Sequence, residues 1–341
     1  MSLNKDFLSR ETNITAEVIC DSISEQGVRL TTFEIEYPRF IHSELMTHRN
    51  LSKNSSSSRA IPIQKMLDQI EGNMVIPLYW GKNKSGMQAV EEVSKFDEAK
   101  SVLNWERSFN YTKERVLDMV NIGLHKQVPN RLTEPFQMMK VVVTGTDWDN
   151  FFNLRIHPDA QPEICMLAYK MYKAMEESKP AELKVGEYHL PYVSNYRVKS
   201  GRGFGKLEYY TGAVSTPNYN VISLEDAIKI SAASCASVSY RTEGMTLEKA
   251  DKIFAMLIKA EVVHSSPLEH CATPVKPKFN ELGLVRVNCS EPQSWEDGVT
   301  HVNKQGELCS GNLRGWIQYR HLLPNNTCYS FDFEERMKMF S

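Results

Sequence analysis

A chain of 341 residues can bury a sizeable core as one large domain or two ordinary ones. Apolar residues make up 41% and charged residues 24%, and a formal net charge of −2 gives no general pull toward polymeric nucleic acid or an acidic membrane. Any anionic ligand must therefore be held by local basic groups. The polar start MSLNKDFLSRETN lacks the apolar core of a signal peptide, and no apolar run approaches the roughly 20 residues that span a bilayer, so a cytoplasmic location is expected. Seven scattered cysteines without a C-x-x-C pair read as reduced thiols rather than a disulfide framework or a zinc cage.

In chain order, VRLTTFEIEY (Val28 to Tyr37) is rich in β-branched and aromatic residues and reads as a strand stopped by Pro38. The short helical stretch RFIHSELMTHR follows, then the tract NLSKNSSSSRAIP, too rich in Ser and Asn for a helix interior. IQKMLDQI is a short amphipathic helix. Residues 86 to 124 carry helical patterning, with Val90, Val93, Phe96, Val102 and Trp105 spaced for one buried face. MKVVVTGTDW is a strand up to Thr144. WDNFFNLRIHPDAQPEICMLAYKMYKAM gives two helical pieces separated at Pro158, the second burying Ile164, Leu167, Ala168 and Met171. Residues 180 to 222, rich in Pro, Gly and Tyr, read as irregular loops. A helix capped by Ser223 follows, with the capping-box acid displaced to Glu225, and then a helix capped by Thr246 that buries Ile253, Leu257 and Ile258. GNLRGWIQYRHLL near the end reads as a short helix. The mixture predicts an α+β fold, with residues 1–180 as a core, 181–222 as a loop region and 223–341 completing one interwoven unit.

By composition the tract SKNSSSSR is a linker. Its flanks point elsewhere: His48 and Arg49 enter it, Arg59 leaves it, and apolar segments bound it on both sides. Hydroxyls, an amide and two guanidinium groups within eleven residues suit a phosphate. Here the sequence resembles the flavin-dependent thymidylate synthases, which carry R-H-R, seven residues, then S-x-R-Y. The chain has Thr47-His48-Arg49, seven residues, then Ser57-Ser58-Arg59-Ala60, with Asn54 where that family has an Asn. VPNRLTEP (Val128 to Pro135) is similar to the family's V-A-R-x-x-L-P, and NFFNLRIHPDAQPEI (Asn150 to Ile164) to its N-F-L-x-L-R-x-x-x-x-A-Q-x-E-I. ASVSYR (Ala236 to Arg241) and HSSPLEH (His264 to His270) resemble A-A-R-V-S-Y and H-x-[ST]-P-F-E-H, which in the family precede the Arg-rich motif. Finding them some two hundred residues after it implies a circular permutation.

The resemblance implies an antiparallel sheet packed with long helices. It implies FAD as cofactor, NADPH and methylenetetrahydrofolate as co-substrates, and dUMP converted to dTMP by a homotetramer. Residue by residue it implies nucleotide contacts at Ser52, Ser57, Arg59, Arg131 and Arg155, with Arg155 stabilising charge on the pyrimidine. Flavin contacts are implied at His48, Arg49, Ser55, Asn150, Ser239, His264 and Ser266. No metal is expected, since His264 and His270 lack an H-E-x-x-H pattern or a Cys partner at zinc spacing. For Arg131 and Arg155 a surface ion pair is the competing reading; for His270 it is a structural imidazole. SGRGFGKLEYY (Ser200 to Tyr210) reads as a mobile basic loop or a lid. Glu44, Thr47, Ser55 and Ala60 replace the family's Gln, Arg, Glu and Tyr. Those departures leave open a relative acting on another pyrimidine such as dCMP, or a nucleotide-binding protein without catalysis.

Overall fold

The computed structural model describes residues 5–86, 89, 91–198, 205–211, 220–239, 244–259, 263–276 and 292–340. Val90, residues 199–204 of the Gly-rich loop, and Tyr240 and Arg241 of the ASVSYR segment lie outside them.

Strands β1 (Thr15–Ser24) and β2 (Arg29–Pro38) form a hairpin whose turn carries Gly27 at φ 76°, a left-handed position that favours glycine. The sequence reading found β2 and missed β1, because Glu17, Asp21 and Ser22 interrupt its apolar pattern. A short 3₁₀ turn (Arg39–Ile41) leads into α1 (His42–Met46). The Ser-rich tract then forms a strand, β3 (Ser52–Ser55), rather than a linker. Helices α2 (Ile63–Gly72), α3 (Lys95–Asn121) and α4 (Pro129–Leu132) follow, and β4 (Met138–Gly145) returns to the sheet. The long helix starts at Lys95, where Ser94 accepts the Asp97 N–H, and not at residue 86. It buries Phe109 and Val116, while Phe96, expected on the buried face, is 79% exposed.

Helices α5 (Asp149–Arg155) and α6 (Pro162–Glu177) stand as expected, and Ile164, Leu167, Ala168 and Met171 are all buried. The stretch read as irregular contains β5 (Ala181–Leu183), β6 (Ser194–Arg197), β7 (Leu207–Thr211) and β8 (Asn220–Ile222). These strands are short and bounded by Pro and Gly, so no period of two could show. Helix α7 (Leu224–Ala236) is capped by Ser223, whose Oγ accepts the Asp226 N–H and donates to the Asp226 carboxylate, so Asp226 and not Glu225 is the acid that meets the cap. Helix α8 (Leu247–Ile258) is capped by Thr246; its fully buried residues are Ala250 and Phe254, with Ile253, Leu257 and Ile258 half-buried. Strands β9 (Ala272–Pro274), β10 (His301–Val302), β11 (Leu308–Ser310), β12 (Leu313–Arg314) and β13 (Trp316–Gln318) and helix α9 (Phe333–Met337) complete the described elements. The expected helix at 311–321 is thus two strands and a 3₁₀ turn: β13 pairs with β9 and buries Trp316, a gain the isolated segment could not reveal.

The main sheet has the order β3-β4-β2-β1-β5 and is antiparallel except for the β1–β5 pair. With its helices it makes the antiparallel α+β fold the sequence implied. One face carries Phe33, Ile35, Val141 and Val143 against Trp148 and Phe151 near α5 and the apolar side of α6. Each fully buried side chain of that size contributes roughly 1.5–3 kcal/mol. On the other face Val142 meets Cys235 and Val238 of the α7 segment. The same face holds a buried polar chain. Ser22 Oγ lies 2.9 Å from His189 Nδ1, His189 Nε2 lies 2.7 Å from Thr32 Oγ1, and Thr32 Oγ1 lies 2.6 Å from Thr144 Oγ1. Thr144 Oγ1 in turn lies 2.7 Å from His270 Nδ1.

Burial holds both imidazoles down to about 3, with the His270 charge adding to the effect at His189. The unfolded chain takes up protons below about 6.5 while the folded chain does not, so stability is full above that value and falls as pH drops toward 3. Denaturant unfolding at pH 7 and pH 5.5 is expected to show uptake of more than one proton on unfolding in that window, each worth up to about 1.4 kcal/mol per pH unit. A flat profile would mean the two imidazoles are not held neutral.

Candidate functional site

The edge strand β3 organises the residues singled out by the sequence. It pairs with β4 from Ser52↔Thr144 to Ser55↔Val141, so the polar tract satisfies its backbone on one side of the strand and stays open on the other. His48 and Arg49 lie just before it and Ser57 and Arg59 just after, with about 13 Å of strand between.

At the first end, α5 brings Arg155 onto α1. Its Nε donates to His48 Nε2 at 2.8 Å, Nη1 donates to Glu44 Oε2 at 3.0 Å, and Nη2 reaches Thr47 Oγ1 at 3.4 Å. These three bonds use three of the five guanidinium N–H groups and leave two for a ligand. His48 packs edge-on against Phe151 at 4.9 Å, and burial, then the charges of Arg155 and Lys53, hold its imidazole down to about 4. It is therefore a neutral acceptor at pH 7. Two of the four departures from the family pattern, Glu44 and Thr47, are contacts of Arg155. Losing a cation at 47 and gaining an anion at 44 both make the surroundings of this one guanidinium more negative, which favours its charge. Arg155 and Glu44 face a cleft of about 740 Å³ walled by Phe40, Tyr79 and Trp105, with the buried carboxyl of Glu163 at its floor. That volume and its mix of aromatic and polar groups fall in the range of small-molecule sites. Burial raises the Glu163 carboxyl, although the Leu78 N–H donates to it at 2.8 Å.

At the second end the Ser57 N–H donates to Ser239 Oγ at 2.7 Å, across 182 residues of sequence. Asn130 Nδ2 donates to the carbonyls of Ser58 and Ile61 and so brings the α4 segment, with Arg131, to the serine loop. Arg131 is 57% exposed and pairs with Glu134 at 2.9 Å, and Arg39 pairs with the same carboxylate at 3.0 Å. Arg49 and Arg59 are exposed, with no hydrogen bond or ion pair to a described residue. A smaller cavity of about 310 Å³ opens beside the loop, lined by Ser56, Ser58 and Ser239 together with Glu36, Lys65 and Lys140. Asn54 Oδ1 and Asn130 Oδ1 are buried without a partner.

The remaining sequence candidates are placed apart or only partly together. Ser52 is buried and donates to Asn312 Oδ1 at 3.0 Å, on the side of the sheet facing β13. Ser55 is half-buried within β3, and Asn150 is exposed in the first turn of α5. His264 and Ser266 are exposed at the start of the 3₁₀ segment Ser266–His270. That segment lies against β3 and β4 through His270, and its Glu269 carboxylate faces Lys53 and bonds to Arg320. Sequence reasoning missed Lys53, whose Nζ donates to the carbonyls of His48 and Leu51, the latter at 2.9 Å, and so holds the turn that carries His48. Burial pulls this ammonium down to about 8. A lysine in a polar tract carries no signal of such a role, and the same holds for Tyr79 and Trp105, whose place in the cleft depends on tertiary packing.

Residues 24–181 match the model of the thymidylate synthase complementing protein family. The later segments at 236–239 and 264–270 lie outside the matched residues but pack against β3 and β4. Two solved structures of the UMP/dUMP methylase PolB from Streptomyces cacaoi, bound with 5-Br UMP and 5-Br dUMP, are similar at 19% and 17% identity and TM-scores of 0.43 and 0.41. Each covers 49% of this chain, and the chain covers 90% and 91% of them. No curated protein matches the chain. No helix among the described residues is long and apolar enough to cross a membrane.

Arg155→Lys keeps the charge but cannot hold His48, Glu44 and a ligand in one fork. The expected result is a loss of about ten- to a hundredfold in pyrimidine nucleotide affinity by titration calorimetry, with circular dichroism unchanged. Unchanged affinity would reduce Arg155 to an internal ion pair.

Proposed function

We propose that the protein is a flavin-dependent C5-methylating enzyme acting on a pyrimidine nucleotide, with dUMP converted to dTMP by methylenetetrahydrofolate and NADPH. The observation that carries this reading is the Arg155–His48 contact, which joins two motifs 107 residues apart within a cleft of nucleotide size. In this reading Ser57, Arg59 and Arg131 hold the phosphate, and the two free N–H groups of Arg155 bind a pyrimidine carbonyl. Negative charge on the pyrimidine carbonyl and nitrogen, which makes carbon 5 nucleophilic, is stabilised there. Neutral His48 holds the guanidinium in plane and takes no charge from the ring.

Carbon 5 of uracil is a weak nucleophile, and the thiol route needs an activated cysteine. Burial raises the thiols of Cys20 and Cys271 to about 12 and those of Cys165, Cys235 and Cys309 above their ordinary range, which disfavours that route at these positions. The residues at the flavin positions fit a dinucleotide cofactor in donor chemistry: unpaired Arg49 and Arg59 suit a pyrophosphate, and the orphaned Asn54 oxygen suits a ring N–H. His48, Arg49, Ser55, Asn150, Ser239, His264 and Ser266 would hold it. Bound and reduced, a flavin supplies the hydride that completes the methyl group, and NADPH restores it. The packing of the 236–239 and 264–270 segments against β3 and β4 supports the permuted arrangement.

The protein is expected to be isolated yellow or to take up FAD, and to release tritium from dUMP labelled at carbon 5 when folate and NADPH are supplied. Release from labelled dCMP alone would assign the substrate to the amino pyrimidine, which the added Glu44 carboxylate could serve as acceptor. A colourless protein that takes up no FAD and releases none would leave only nucleotide binding.

A further inference from the structure

Three carboxyl groups line the cleft that Arg155 faces, and they differ in what holds them. Glu44 is bonded to the Arg155 guanidinium at 3.0 Å, so its charge is already committed to a cation. Asp159 is exposed and lies beside His157. Glu163, in the first turn of α6, is buried, and no cation among the described residues pairs with it. Neutral donors alone hold its oxygens: the Leu78 N–H donates to Oε1 at 2.8 Å and the Gln161 amide to Oε2 at 3.2 Å. A carboxylate oxygen that accepts one such bond keeps a second lone pair. Burial raises this carboxyl and the nearby Glu44 charge raises it further, against the pull of the two hydrogen bonds. A carboxylate with little water and no cation holds a proton more tightly than usual, which is the property a base needs.

We propose that Glu163 is the base that removes the proton from carbon 5 of the pyrimidine. The inference rests on the C5-methylating reading above. Once carbon 5 has bonded to the one-carbon unit, it carries both that group and its own hydrogen, and the ring has lost its C5–C6 double bond. The C5–H bond then breaks. Its electron pair re-forms the C5–C6 double bond, which removes the positive charge left on the ring, and the proton bonds to a Glu163 oxygen. Glu163 passes from carboxylate to carboxylic acid and gives the proton to water when the cleft opens to solvent. Carbon 5 adjoins carbon 4, so a carbonyl at carbon 4 seated on the unused Arg155 N–H groups sets the C5–H bond in the cleft that Glu163 lines. The two residues then act in turn: the guanidinium favours attack by carbon 5, and the carboxylate collects the proton that attack makes acidic. Glu44 cannot take the second part without giving up its bond to Arg155.

Glu163→Gln keeps the size of the side chain and an acceptor for the Leu78 N–H, and it removes the base. Tritium release from the nucleotide labelled at carbon 5 is expected to fall by about 10²- to 10⁴-fold, with nucleotide affinity by titration calorimetry and circular dichroism unchanged. In the wild type, kcat/KM should fall as pH drops through the raised Glu163 value, since the base is then protonated. Glu163→Asp should keep that acid limb at a reduced rate, and Glu163→Gln should lose it. Infrared titration of the protein without substrates reads the same group directly: a protonated carboxyl band persisting above the ordinary carboxyl range is expected in the wild type and not in Glu163→Gln. Wild-type tritium release by Glu163→Gln, or an acid limb retained in it, would overturn the proposal and leave the methylating reading standing. Loss of nucleotide binding or of the fold in Glu163→Gln, with no recovery in Glu163→Asp, would make Glu163 a structural acid instead. No release by the wild type from either labelled nucleotide would remove the methylating reading and this inference with it.

Discussion

The pairing of β3 with β4 is the interaction on which the rest of the site depends. Nine of the ten residues of NLSKNSSSSR are polar, and a strand of that composition has little apolar surface of its own to bury. It is held by backbone hydrogen bonds to a strand that is itself deeply buried, Val141 to Thr144 being fully so. The cost of leaving the β4 backbone unpaired in the interior makes this ladder obligatory. Once it forms, its ends are fixed: His48 must sit by α5, and Ser57 must sit by the end of α7.

The two faces of the sheet then divide the labour. The apolar face sets α5 and α6, which deliver Arg155 to the cleft. The opposite face is unusually polar for an interior, with Ser22, His189, Thr32, Thr144 and His270 bonded in a continuous chain. Such a chain is stable only when its members stay neutral and paired, which ties the positions of β1, β4 and the 266–270 segment to one another. The segment that contributes His264 and Ser266 is thereby locked to the strand beside the serine loop, although it comes far later in the chain.

Around Arg155 the departures from the family pattern become intelligible as one set. A guanidinium shared by an imidazole, a carboxylate and a hydroxyl is rigid, and those three bonds leave two of its five donors unused. Glu44 and Thr47 read singly as damaged motif positions. Read together they are two acceptors that hold Arg155 in place.

The sequence by itself determined the parts that local chemistry dictates. The α5–α6 pair broken near Pro158, the caps at Ser223 and Thr246, the strand before Pro38 and the arginine and serine motifs were all legible, because capping, proline geometry and residue spacing act over a few positions. The resemblance to the family that matches residues 24–181 was legible too, since its motifs lie within such short windows. Tertiary structure alone decided that the Ser-rich tract is a strand, that Phe96 faces outward while Phe109 faces inward, and that GNLRGWIQYRH folds as strands around Trp316. In each case the deciding partner lies far along the chain: β4 for the tract, the α2 cluster for α3, β9 for the last. Burial is a property of the assembled molecule, and no short window of sequence contains the surface against which it happens.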